Sequence, residues 1–161
     1  MISTRKKLLL LPIGIALLLI AYFGPSAYRK AKMDKEVDRL CAVDGGIKVY
    51  EKIPLPLERF NQWGDPLIPI AGIAGSAKEP YLLEIQSRVL VKGDPYGIGM
   101  PTLSRFHARV IRQSDGKSLG EVTSYLRTGG DPGGPWNPSS YNGCSEGGDK
   151  ALKQRVFFKG G

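Results

Sequence analysis

Residues Leu8–Ala27 read LLLLPIGIALLLIAYFGPSA, a run with no charge in it, between Arg5-Lys6-Lys7 and Tyr28-Arg29-Lys30. About 20 mostly apolar residues are enough to cross ~30 Å of hydrocarbon as a helix. The run therefore predicts a transmembrane helix over 8–27. Pro12 falls in its first turn, where a missing N–H does little harm. A cleaved signal peptide has a shorter apolar centre and ends in a small-x-small site. Here the candidate site offers Pro25 and Ala27, which favours an uncleaved signal-anchor. A lipoprotein signal does not fit, because Cys41 follows Asp38-Arg39-Leu40 rather than a small-residue stretch.

The rest of the chain then divides simply. Residues 1–7 form a short basic N-terminus, 8–27 the anchor, 28–43 a juxtamembrane helix, and 44–161 a single β-rich domain. Lys and Arg are nearly balanced on the two sides of the apolar run, so the positive-inside rule alone does not orient it. A basic start followed by an apolar run is the order of an export signal, and it places the domain on the periplasmic or extracellular side of an inner membrane. The net charge of +8 is concentrated next to the anchor: residues 1–40 carry +5 and residues 41–161 only +3. Basic residues there meet anionic headgroups, which argues against a nucleic-acid partner. The chain has two cysteines, Cys41 and Cys144, at opposite ends of the domain. In an exported domain such a pair reads as one disulfide.

Met33, Val37, Leu40 and Cys41 make one apolar stripe at i, i+4, i+7 and i+8 of a helix, with Lys30–Asp34 and Lys32–Glu36 at i,i+4 spacing. Alternation predicts a strand over Ile47–Ile53, stopped by Pro54 and Pro56, and a second over Tyr81–Lys92. A short helical turn is expected near Leu57–Trp63. Arg105–Gln113 and Lys117–Arg127 form a hairpin around Ser114-Asp115-Gly116. Of two registers, the one with Gly116 in the left-handed conformation puts Phe106, Ala108 and Val110 on one face with Val122 and Leu126. The opposite face then carries Arg105, His107 and Arg109 beside Glu121, Thr123 and Tyr125. Thr128–Lys150 is a long Gly/Pro-rich loop, and Gln154–Phe158 reads as a final strand. The fold class expected is an N-terminal transmembrane helix plus a small mainly-β (α+β) domain with an antiparallel sheet.

No hydrolase elbow, phosphate loop or zinc-protease motif occurs in the chain. Two cysteines and one histidine do not fill a zinc site, so no metal or cofactor is expected. His107, the lone histidine, is a base only in a small-hydrolase or transferase reading. Arg105, His107 and Arg109 together suit an anion, although cross-strand pairing of Arg109 with Glu121 accounts for the same residues. Trp136 and Tyr141 are large aromatics in a loop too poor in aliphatic residues to build a core of its own, which makes them candidate anchors for a partner.

The segment Cys41-Ala42-Val43-Asp44-Gly45-Gly46-Ile47-Lys48-Val49-Tyr50-Glu51 resembles a motif of small, uncharacterised bacterial membrane-anchored proteins, some encoded near mobile elements. The resemblance implies a bacterial envelope protein and no particular activity. The expectation is a membrane-anchored, non-enzymatic interaction or structural module with an envelope protein partner. An enzyme using His107 and a cytoplasm-facing domain at the inner membrane are the alternatives.

Overall fold

A computed structural model describes residues 4–94, 99–131, 139–144 and 148–160, with side chains in the first helix from Pro12 onward. The chain begins with a single helix, α1 (Thr4–Asp44). It ends at Gly45, where a side chain would collide with the Cys41 carbonyl oxygen at 2.5 Å. Strands β1 (Gly46–Val49) and β2 (Ile53–Leu55) follow, then single 3-10 turns at Leu57–Arg59 and Ser76–Lys78. Three long strands come next: β3 (Tyr81–Val91), β4 (Thr102–Arg112) and β5 (Ser118–Thr128). The chain finishes with β6 (Tyr141–Gly143), a short helix α2 (Asp149–Val156) and β7 (Phe157–Lys159).

The main sheet is antiparallel, in the order β1-β5-β4-β3, and β6 also pairs with β5. The β4–β5 hairpin adopts the register in which Ala108 faces Val122 and Val110 faces Gly120. Gly116 closes the turn at φ +69°, a conformation that costs glycine little. Residues alternate across the sheet, so the two faces differ. One face buries Leu83, Val110, Leu119 and Val122 against Leu152 and Val156 of α2, with Leu55, Ile68 and Phe157 closing the edge. Helix α2 lies so close that a side chain at Gly120 would meet Val156 Cγ2 at 2.8 Å. The opposite face receives α1: Val37 packs with Leu103 and Tyr125, flanked by Met33, Leu40, Cys41 and Cys144. Those helix residues are the apolar stripe read from the sequence. The disulfide Cys41–Cys144 joins α1 to the segment after β6, across a sequence separation of 103.

Several expectations are corrected. The transmembrane helix over 8–27 is overturned: among the described residues, no helix is long and apolar enough to cross a membrane. The last part of the run is diluted by Gly24, Pro25 and Ser26, and Ser26 is buried against the backbone of Gly99, inside the folded domain.

The final strand over Gln154–Phe158 is largely helix instead, and only Phe157–Lys159 is extended. Ala151, Leu152, Lys153, Gln154 and Arg155 favour a helix, and Leu152 and Val156 bury together at i,i+4 spacing. The strand over Ile47–Ile53 breaks after Val49. Its second part, β2, includes Pro54 and pairs in parallel with β7 in a separate two-stranded ladder. The i,i+4 pairs on α1 are not formed: Lys30 binds Asp131 and Asp34 binds Arg127, both distant in sequence, while Glu36 pairs with Arg39 at i,i+3.

Candidate functional site

The face of the sheet beneath α1 carries the polar residues singled out above. The register sets Arg105 opposite Tyr125, His107 opposite Thr123 and Arg109 opposite Glu121. The end of α1 adds Asp44, whose Oδ2 accepts from the Tyr125 hydroxyl at 2.7 Å and from Arg105 at 3.2 Å. The Tyr125 hydrogen bond, reinforced by Arg105, holds the Asp44 carboxyl below its ordinary range. Burial, with the same hydrogen bond to Asp44, pushes the Tyr125 hydroxyl up. His107 Nδ1 lies 3.1 Å from the buried Thr123 hydroxyl, and its Nε2 lies 3.9 Å from Glu121. Glu121 also accepts from Tyr50 at 2.6 Å.

Arg109 turns away from Glu121 and binds Glu84 of β3 at 2.7 Å. The two arginines therefore serve carboxylates on different elements and do not converge on one anion. Thr123 gives His107 a hydroxyl neighbour, but that hydroxyl is inside the protein and also lies 3.5 Å from Arg105. Among the described residues, no three metal-ligating side chains gather. The segment from Cys41 to Tyr50 contributes to this face: Cys41 bridges, and Asp44 and Tyr50 bind β5 side chains; Glu51 binds Arg112 and Lys117 at the β4–β5 hairpin end.

Tyr141 stands at the edge of the sheet, 78% exposed. Trp136 lies outside the described residues, so the paired aromatic anchor is placed for Tyr141 alone. Tyr141 borders an open cleft of about 380 Å³ on the α2 side of the sheet, floored by Ile85, Phe106, Ala108 and Val122.

Two features escaped the sequence reading. The first is an ionic lock between α1 and the sheet. Arg127 is only 2% exposed, donates to Asp34 at 2.7 Å, and also donates to the Gly129 and Ser140 carbonyls and the Ser140 hydroxyl. Next to it, Asp131 binds Lys30 and the amide and hydroxyl of Ser140. Burial pushes the Asp131 carboxyl up, but Lys30 and the two Ser140 donors outweigh it and bring it from 3.8 down to about 2. A depressed carboxylate stabilises the fold above its unfolded value and loses that contribution as pH falls through the folded one. Stability is therefore expected to decline between about pH 4 and 2, and Asp131→Asn should flatten that part of a pH–melting curve. An unchanged slope in the variant would show the group to be idle.

The second is a cleft of about 410 Å³ between α1 and the ends of β3 and β4. Met33, Val91, Met100 and Leu103 line it, and Arg29, Lys32 and Lys92 stand around it. Its one carboxylate, Glu36, is tied to Arg39 on the next turn of α1 at 2.6 Å. The signal for it in the sequence was the cluster of cations after Ala27, which only the fold joins to Lys92.

No protein-family model, curated protein sequence or solved structure matches this chain.

Proposed function

We propose that this chain is a non-enzymatic interaction module of the bacterial envelope. Its sheet domain works in an oxidising compartment, and the apolar end of α1 makes contact with lipid. One observation carries the reading: a helix fixed along its later turns whose earlier turns, among the described residues, expose their apolar side chains. Its later turns are held by a disulfide and by the Arg127–Asp34 pair. Its earlier turns leave Ile13, Ile15, Leu17, Leu18, Leu19 and Ile20 all at least half exposed. Exposed apolar surface of that extent marks an interaction site. The disulfide supports an exported location, since such bonds persist in oxidising compartments.

Vesicle flotation tests the proposal directly. The full chain should float with phosphatidylcholine vesicles, and Leu17→Lys with Leu18→Lys should abolish flotation while the melting temperature stays put. Wild-type protein that stays in the soluble fraction would refute lipid contact.

His107 bears on the enzymatic alternative. His107→Ala removes one hydrogen bond to Thr123 and should cost about 1 kcal/mol of stability. Flotation and capture of an envelope partner should persist. A folded variant that loses its cellular role outright would favour the enzyme.

A further inference from the structure

The cleft between α1 and the ends of β3 and β4 combines three properties that together identify a ligand class. Its floor is apolar, built from Met33, Val91, Met100 and Leu103. Met100 and Val91 are substantially exposed there, so among the described residues nothing fills this apolar surface. Its rim is cationic: Arg29 and Lys32 come from α1 and Lys92 from the end of β3. Among the described residues none of the three has a carboxylate partner, whereas the neighbouring Lys30 is committed to Asp131. Glu36, the acid on the lining, is neutralised by Arg39.

Position supplies the third property. Arg29 lies two residues beyond the apolar run on the same unbroken helix, so the cleft sits where lipid headgroups meet protein if the earlier turns touch lipid. A volume of about 410 Å³ falls within the usual range of small-molecule sites, roughly 300–1,000 Å³. We infer that this cleft binds one anionic phospholipid, with part of an acyl chain against Met33 and Met100 and the headgroup phosphate among Arg29, Lys32 and Lys92. The inference deepens the lipid-contact reading above: it names the lipid class and the residues that select it. Selection follows because the rim cations gain with an anionic lipid and gain little with a zwitterionic one.

The chain contains three methionines, and two of them line the cleft, which provides a direct probe. Full-length protein with isotope-labelled methionine methyls would be titrated with dihexanoyl phosphatidylglycerol below its micelle concentration, with dihexanoyl phosphatidylcholine, and with glycerol phosphate. Met33 and Met100 should shift with the first at the lowest concentration, weakly with the second, and not at all with the third. Arg29→Gln, Lys32→Gln and Lys92→Gln should each weaken phosphatidylglycerol binding roughly fivefold. Lys35→Gln, the same charge change on α1 outside the cleft, should leave it within about twofold.

Equal affinity for the two lipids, unmoved cleft methyls, or an equal loss from Lys35→Gln would each overturn the inference. A shift with glycerol phosphate alone would mark a simple phosphate site and would overturn it too. Because the titration needs no bilayer, it is separable from the flotation experiment. Loss of flotation on neutral vesicles defeats the docking reading, whereas unmoved methyls defeat the lipid site.

Discussion

Arg127→Leu should unfold more readily than wild type by about 3–5 kcal/mol in urea denaturation, the usual cost of breaking a buried ion pair by removing one partner. The guanidinium is nearly inaccessible, and its loss orphans more than Asp34. Two carbonyls, those of Gly129 and Ser140, lose their donor in the same step. Asp34→Leu alone should cost less, because that carboxylate is 28% exposed and the arginine keeps its carbonyl partners. The double variant Arg127→Leu/Asp34→Leu should be less destabilised than the sum of the two, a coupling that a mutant cycle isolates. A loss below about 1 kcal/mol for Arg127→Leu would mean that α1 is held by its apolar stripe and disulfide alone.

Removing the bridge is the second large effect. A loop of 103 residues closed by one disulfide is worth about 4–5 kcal/mol in the chain-entropy model, and native bridges in small exported domains typically measure about 2–5. Cys41→Ser/Cys144→Ser should therefore lower the denaturation midpoint markedly, and reductant should do the same to wild type. The sheet itself should survive better than the docking of α1, since neither cysteine lies in a strand of it. Free labelling of both thiols in native protein would contradict the bridge outright. Because the two changes act on the same helix from different points, Arg127→Leu in the reduced protein should release α1 while the β3–β4–β5 strands stay paired.

What could be read in advance was what depends on local pattern. The β4–β5 hairpin follows from alternation and a glycine turn, and its register follows from the need to put Ala108, Val110 and Val122 on one face. The stripe from Met33 to Cys41 likewise found the sheet it required. The ion pairs were not legible, because a carboxylate four residues away on a helix competes with partners that only the fold supplies. Asp34 had Lys30 within reach and took Arg127, whose buried setting makes the interaction stronger. Helix α2 was hidden for a related reason: Val156, Phe157 and Phe158 favour strand locally, while the need to cover Val122 and Leu119 folds the preceding turn into a helix. The membrane span was misjudged: among the described residues no helix is long and apolar enough to cross, and the end of the run, at Ser26, is buried within the folded domain. The polar strip was foreseen as a row of side chains, but not the divergence of Arg105 and Arg109 toward different carboxylates.

The short ladder between β2 and β7 sets the order in which this protein can mature. Ile53–Leu55 pairs with Phe157–Lys159, so the earlier strand waits for one far downstream. Helix α1 waits as well: Arg127, Asp131 and Cys144, which fasten it, lie 93, 101 and 103 residues after the helix residues they hold. During synthesis α1 is thus made before its fasteners, and the β3–β4–β5 meander can close on itself before Cys144 and β7 arrive. Contacts so distant in sequence form slowly. An emerging chain would keep both faces of its meander open until the C-terminal residues arrive, and oxidation of Cys41 with Cys144 would come as the closing event rather than a guide to folding.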